Sequence, residues 1–168
     1  MSDNTARLLE IARRYASAEQ ALHITSLQSP AVAEALGRGL AASLTSAAPD
    51  TVVVWDQVES AVLGHVVARE LHADLVYAFS VEGSLGISGT LAPGSRAVAV
   101  SYDWTELHGL DALVRFTQSQ GALVAGIGSV VAAPGPEAHL GIEAYTLAGS
   151  EPGGPESSKE QTHAHDNS

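Results

Sequence analysis

The sequence predicts an α/β fold in which a mostly parallel central sheet carries helices on both faces. From residue 51 onward, short uninterrupted apolar runs alternate with helical patterns of about eleven residues. Uninterrupted apolar runs are typical of strands that are buried on both faces, and helices between such strands make right-handed crossovers. The chain has 168 residues and no cysteine, so we expect a core of ordinary size that needs no disulfides.

The first 46 residues are predicted to form two helices. In the first, residues 5–18, one face carries the apolar residues Leu8, Ala12, Tyr15 and Ala16. The second follows Ser29-Pro30, a typical helix start because proline lacks the amide hydrogen that would have no partner there. Its apolar stripe consists of Ala33, Leu36, Leu40 and Leu44.

Residues 51–131 are predicted to form the parallel core of the sheet. The predicted elements are strands at 51–55, 74–79, 96–100 and 123–131, and helices at 61–71 and 110–118. Residues 80–94 contain four glycines and a proline, a composition that favours a β-ribbon or a mobile flap. Residues 140–147 (LGIEAYTL) are predicted to form a last strand at the edge of the sheet.

All of residues 1–149 are therefore assigned to one domain. Residues 150–168 (SEPGGPESSKEQTHAHDNS) contain almost nothing that can fill a core, so we predict a disordered acidic tail. His163 and His165 in this tail, like His65 and His72 near a helix end, are typical surface histidines, and no metal site is predicted from them.

The charge of the chain excludes several classes of partner. Eight basic residues face nineteen acidic ones, giving a net charge of −11. Such a chain repels nucleic-acid backbones and anionic membrane surfaces, so we expect neither as a partner. No apolar run approaches the ~18 residues that cross a bilayer, and the first residues lack the apolar segment of a signal peptide. A cytoplasmic location is therefore expected.

The order of these elements resembles that of the type I phosphoribosyltransferase family, most nearly its orotate phosphoribosyltransferase-like branch. The string AVLGHVVARELHADLVYAFSVEG carries the resemblance, which extends over roughly residues 24–147. The resemblance implies a phosphoribosyltransferase-like three-layer fold and a homodimer. It also implies that a loop within VVVWDQVESAVLGHVVAREL contacts pyrophosphate, and that a flap follows the second strand.

The loop that defines the family lies at residues 98–110 in this chain. In the family, two adjacent acidic residues hold the ribose hydroxyls, and a Thr/Gly-rich turn wraps the 5′-phosphate of phosphoribosyl pyrophosphate at a helix N-terminus. The resemblance implies a ligand-binding set drawn from this loop and the pyrophosphate loop. That set is Ser101, Tyr102, Asp103, Trp104, Thr105, Glu106, His108, Gly109, Asp56, Glu59 and Ser60.

This loop departs from the family pattern at most positions. Only Thr105 matches, the acidic pair is replaced by Ser101 and Tyr102, and Glu106 stands where the phosphate would dock. Two like charges ~4 Å apart near a surface repel by roughly 4 kcal/mol, about the free energy of a millimolar complex. Glu59 adds a second carboxylate near the pyrophosphate position. We therefore expect a disabled phosphate site.

Two functions follow from these departures. The first is a diverged, non-catalytic protein that senses a small-molecule ligand or binds a partner, including an active relative. The alternative is an active phosphoribosyltransferase for a nucleobase such as orotate, with Asp103 as the candidate catalytic residue acting with Mg²⁺ and Thr105 binding phosphate. No other cofactor is expected. A metal site at Asp103, Glu106 and Asp111 is disfavoured, because acids near a helix N-terminus are stabilised by its dipole.

The aromatic residues of the same loop allow two arrangements. Tyr102, Trp104 and His108 either line a pocket at the carboxyl ends of the strands or fill it. A lined pocket would suit a flat, uncharged ligand better than a diphosphate. In a filled pocket, Trp104 would occupy the space of the ribose.

Overall fold

The computed structural model describes residues 29–104, 107–131 and 141–148. The helix predicted at residues 5–18 and the tail predicted at residues 150–168 lie outside this part of the chain. The described elements are helix α1 (Pro30–Leu44), a 3-10 turn (Thr45–Ala47), β1 (Thr51–Trp55), α2 (Val58–Leu71), β2 (Asp74–Val81), β3 (Ser84–Ser88), β4 (Arg96–Ser101), α3 (Leu107–Ser119), β5 (Leu123–Val131) and β6 (Ala144–Ala148).

The bounds of several elements differ from those that the sequence predicts. Helix α2 begins at Val58 rather than at residue 61, because its first three residues are an exposed valine, a half-buried glutamate and a buried serine, which form no apolar stripe. Strand β2 continues to Val81, where it pairs with β3. Residues 141–143 are not part of a strand, and β6 begins at Ala144 rather than at residue 140.

The sheet has six strands in the order β3-β2-β1-β4-β5-β6. All neighbouring pairs are parallel except β2 and β3, which are antiparallel. Val52 in β1 is paired with Leu75 on one side and with Val98 on the other. The chain thus runs outward from β1 to β2 and then crosses back to β4, which makes the boundary between β1 and β4 the point at which the strand order reverses.

Two buried clusters lie on the two faces of the sheet. Helices α1 and α2 cover one face, where Leu36 and Leu63 pack against Val54 and Val100. Helix α3 covers the other face, where Leu113 belongs to the opposite cluster. The structure is therefore a three-layer α/β fold with a mostly parallel sheet, which confirms the predicted fold class.

The segment at residues 80–94 begins with a hairpin. Glu82 and Gly83 connect β2 to β3, with φ angles of 49° and 79°. Positive φ at both central residues is typical of a type I′ turn, which matches the twist of the flanking strands. The β-ribbon that the sequence predicts within residues 80–94 is thus present. Its role as a mobile flap is still a prediction.

A backbone position next to the 3-10 turn provides a stability test. Ala48 has φ 44° and is exposed. Because the left-handed region is costly for a residue with a Cβ atom, Ala48→Gly should raise the free energy of unfolding by about 1 kcal/mol. Ala42→Gly, at an exposed position inside α1, should lower it by about 0.5–1 kcal/mol. Urea unfolding measures both changes in the free energy of unfolding. If both variants were stabilised, or both destabilised, this account would be contradicted.

An ion-pair network joins α1 to α2 on the outer surface. The Arg69 guanidinium donates to both carboxylate oxygens of Glu34, at 2.9 and 2.6 Å, and also to Glu70. Arg38 lies 3.0 Å from Glu34 and 3.6 Å from Glu70. The hydrogen bond from Arg69 is the largest cause that lowers the pKa of Glu34 below 4.5, and these carboxylates also raise the pKa of Arg69.

The lowered pKa of Glu34 gives stability a defined dependence on pH. The folded chain binds the proton of Glu34 more weakly than the unfolded chain, so its contribution is complete well above pH 4.5 and is lost as the pH falls through the folded-state pKa. Glu34→Gln should therefore reduce the loss of stability on acidification from about pH 5.5 to about pH 3. Urea unfolding across this range measures the slope, and an unchanged slope would contradict the assignment.

Candidate functional site

The candidate site is the crevice at the carboxyl ends of β1 and β4. Ligands of open α/β sheets bind outside the carboxyl ends of the strands, at the point where the strand order reverses. Two loops border this point, residues 56–57 after β1 and the chain that follows Ser101 after β4. They contain most of the ligand-binding residues that the sequence predicts.

The first loop brings one predicted pair of residues together. Ser60 is 2% exposed in the first turn of α2, and its Oγ atom lies 3.5 Å from Oγ of Ser101 at the end of β4. Two buried hydroxyls thus join the loops at the base of the crevice. Asp56 is exposed and its amide donates to the carbonyl of Ala78, whereas Glu59 is half-buried.

The second loop does not turn away from the sheet directly after β4. The carbonyl of Tyr102 accepts hydrogen bonds from the amides of Val130 at 3.0 Å and Val131 at 2.9 Å. Tyr102 also continues the alternation of Val98 and Val100, whose side chains pack on the α1/α2 face. The chain therefore runs along β5 for one residue beyond β4.

Trp104 shows where the chain turns. Its indole is 3% exposed and packs in the cluster beneath α3, on the opposite face of the sheet from Tyr102, which is 1% exposed. The Nε1 atom of Trp104 donates to the carbonyl of Gly128 at 3.2 Å. Both aromatic rings fill the buried clusters, and Asp103 lies half-buried between them in sequence.

Four further predicted residues belong to the stretch from residue 105 to residue 109. Thr105 and Glu106 fall outside the described residues. His108 lies in the first turn of the helix. Gly109 follows it and is half-buried.

Trp55 is a site residue that the sequence reasoning missed. This half-buried residue ends β1, and its Nε1 atom donates to the carbonyl of Gly109 at 3.2 Å. The indole thus bridges the end of β1 and the first turn of α3, above the crevice. The sequence signal for this role is a large aromatic residue at the carboxyl end of the first parallel strand. The sequence analysis assigns Trp55 only to that strand.

The arginines of the described residues are bonded outside the two loops. They are Arg38, Arg69, Arg96 and Arg115. Arg96 starts β4, at the opposite end of the sheet, and donates to the carbonyl of Ala47 at 2.7 Å. Arg115 lies 2.8 Å from Asp111, one turn earlier in α3. The described part of the crevice therefore carries carboxylates at Asp56, Glu59 and Asp103 without an arginine or lysine from the described ranges.

Neither a metal-binding cluster nor a membrane-crossing helix is found in the part of the chain that the structure describes. Within residues 29–104, 107–131 and 141–148, no group of three or more acidic or histidine side chains is placed to hold a metal ion. Among the helices that the structure describes, none is long and apolar enough to cross a bilayer.

Several solved structures that are similar to this chain are phosphoribosyltransferases. The chain is similar to a phosphoribosyltransferase from Corynebacterium diphtheriae, with a TM-score of 0.70 and 19% identity over 89% of this chain and 98% of that one. For the Mycobacterium tuberculosis H37Rv orotate phosphoribosyltransferase in complex with 5-phospho-α-D-ribosyl 1-diphosphate, the TM-score is 0.65 and the identity 19%, over 89% and 91% of the chains.

The likeness extends to a second branch of these enzymes. Adenine phosphoribosyltransferase from Saccharomyces cerevisiae gives a TM-score of 0.57 at 15% identity, over 72% of this chain and 81% of that one. No protein-family model matches the sequence, and no curated protein matches it either. The comparisons therefore confirm the type I phosphoribosyltransferase fold that the sequence analysis expected, and at these identities they show the fold alone.

Proposed function

We propose that this protein is a diverged member of the phosphoribosyltransferase fold that does not bind phosphoribosyl pyrophosphate productively and instead senses a ligand or binds a partner. The path of the chain after β4 is the observation that carries this proposal. The Tyr102 carbonyl is bonded to two amides of β5, and the indole of Trp104 is buried beneath α3. Both features support a filled arrangement rather than an open cup of backbone amides.

Electrostatics supports the same proposal. Phosphoribosyl pyrophosphate carries several negative charges, and its binding needs cations or amide donors that point at them. The described part of the crevice offers Asp56, Glu59 and Asp103, while the described arginines are bonded elsewhere. One unscreened like-charge contact of ~4 Å costs roughly 4 kcal/mol, which is enough to cancel a millimolar complex.

The chemistry of the crevice favours a flat, uncharged ligand over a diphosphate. The half-buried indole of Trp55 lies at its rim, above the buried Ser60 and Ser101 hydroxyls, which bond to each other. A ligand at the rim would therefore meet an aromatic ring, which is a usual contact of a small neutral molecule.

Calorimetric titration with phosphoribosyl pyrophosphate and Mg²⁺ tests the proposal. We expect no binding tighter than about millimolar, a free energy weaker than about −4 kcal/mol. The orotate phosphoribosyltransferase of M. tuberculosis, whose structure holds this compound, serves as the positive control. Micromolar binding to the present protein would overturn the proposal.

The competing function is an active phosphoribosyltransferase that uses Asp103 with Mg²⁺. It predicts nucleobase turnover that Asp103→Asn abolishes and that the matched control Asp111→Asn, on the surface of α3, leaves intact. Our proposal predicts no turnover of orotate or of other common bases by the wild type. Turnover by the wild type that is lost in Asp103→Asn and kept in Asp111→Asn would support the active enzyme.

The assembly of the protein is part of the same proposal. We propose a homodimer, the form that the family resemblance implies, and a partner role beside an active relative as the alternative to ligand sensing. Light scattering on the purified chain should give twice the monomer mass of 17.3 kDa. Recovery of a phosphoribosyltransferase with the tagged chain would favour the partner role, and recovery of the chain alone would favour the ligand sensor.

A further inference from the structure

A mostly apolar groove lies between α1, the first half of α2 and β2. Its volume is about 380 Å³. It is lined by Pro30, Ala33 and Glu34 of α1, by Ala61, Val62, His65 and Val66 of α2, and by Tyr77 of β2. Val62 of α2 is half-buried and lines this groove.

We propose that residues 1–28 of the same chain occupy this groove. The chain enters the described structure at Ser29, next to Pro30 in the groove wall, so the preceding residues start at the groove. The sequence predicts a helix at residues 5–18 with an apolar face, and 14 helical residues extend over about 21 Å. The ten residues between 18 and 29 reach up to about 33 Å when extended, which is enough for this helix to fold back.

The physical reason is that two incomplete apolar surfaces cover each other. A helix as short as the predicted one gains most of its stability from packing its apolar face against another surface. Tyr77 and Val62 are half-buried on an otherwise well-packed layer, and covering them removes apolar area from water.

Charge favours the same occupant. Residues 1–28 contain three arginines (Arg7, Arg13 and Arg14) and three acids (Asp3, Glu10 and Glu19), so their net charge is zero. Residues 29–168 hold the other five basic and sixteen acidic residues and thus the whole net charge of −11. A neutral segment meets no net repulsion from this acidic body.

Crosslinking in the full-length chain tests the proposal, because the sequence has no cysteine of its own. The double variant Tyr15→Cys with Val62→Cys is treated with a short bismaleimide, using an equal mixture of isotopically labelled and unlabelled protein. We expect crosslinks within single chains, at least about tenfold more than for Tyr15→Cys with Leu123→Cys, whose second position is 53% exposed at the start of β5. Equal yields, or crosslinks that join labelled to unlabelled chains, would overturn the proposal.

A second measurement does not require that two particular cysteines face each other. The single variant Val62→Cys should react slowly with a maleimide, and adding Tyr15→Asp should raise its rate at least about fivefold by displacing the segment. The same addition should leave the rate of Leu123→Cys unchanged, which also reports that the body of the protein is folded. An unchanged rate at Val62→Cys would contradict the proposal.

Discussion

Replacing Trp104 by alanine is expected to lower the free energy of unfolding by about 3–5 kcal/mol, the usual cost of removing a large buried aromatic side chain. The indole is 3% exposed, packs in the cluster beneath α3 and donates to the carbonyl of Gly128. The substitution removes these contacts and leaves a cavity in the cluster beneath α3. Urea unfolding measures the loss.

Two comparisons make this prediction specific. Trp55→Ala removes an indole that is half-buried and also makes one hydrogen bond, so its cost should be about 1–2 kcal/mol. Added indole should bind the cavity of Trp104→Ala and raise its midpoint of unfolding, because dry apolar cavities accept flat apolar molecules and a bound ligand stabilises the folded state. A loss below about 1 kcal/mol for Trp104→Ala would show that the ring does not fill the site.

Gly37→Ala is expected to destabilise the protein by about 2 kcal/mol, although alanine favours a helix by about 1 kcal/mol over glycine. Gly37 lies inside α1 where the helix crosses α2, and a Cβ atom there would stand 2.5 Å from Cβ of Val66. Non-bonded carbon atoms do not approach so closely, so the two helices must separate.

A double-mutant cycle with Val66→Ala checks the cause. Val66→Ala alone loses buried contacts, but it also removes the Cγ1 atom that the new methyl group would meet. The Cβ atom of residue 66 remains, so the relief is partial and the double variant should be more stable than the sum of the single changes by about 1 kcal/mol. Thermal and urea unfolding of the four proteins give the coupling energy. Additive effects would contradict a direct contact between the two positions.

The apolar pattern of the sequence was sufficient for the fold class and for most elements. Strands β1 and β5 have the predicted bounds, because each is an unbroken apolar run that both helical layers cover. The start of α2 was wrong by three residues, since exposed residues such as Val58, 66% exposed, leave no periodic signal. The glycine-rich composition of residues 80–94 indicated a β-ribbon, and the position of its turn at Glu82-Gly83 comes from the structure.

The candidate site was harder to predict for a physical reason. The sequence indicated the two loops and named Ser60 and Ser101, which do meet, but left open whether Trp104 lines or fills the space between the elements. That choice depends on whether the chain follows β5 after Tyr102, and no local pattern specifies a hydrogen bond between segments almost thirty residues apart.

The sequence by itself determined the fold class, the order of most strands and helices, and the acidic charge of the chain. Only the tertiary structure decided which distant groups meet, such as the Trp55 indole with the Gly109 carbonyl, 54 residues apart, and Ser60 with Ser101, 41 residues apart. Hydrophobic periodicity records the face of an element that avoids water, but it does not record the neighbour that covers this face. That neighbour is set by strand order and loop path, which the packing of the whole chain fixes.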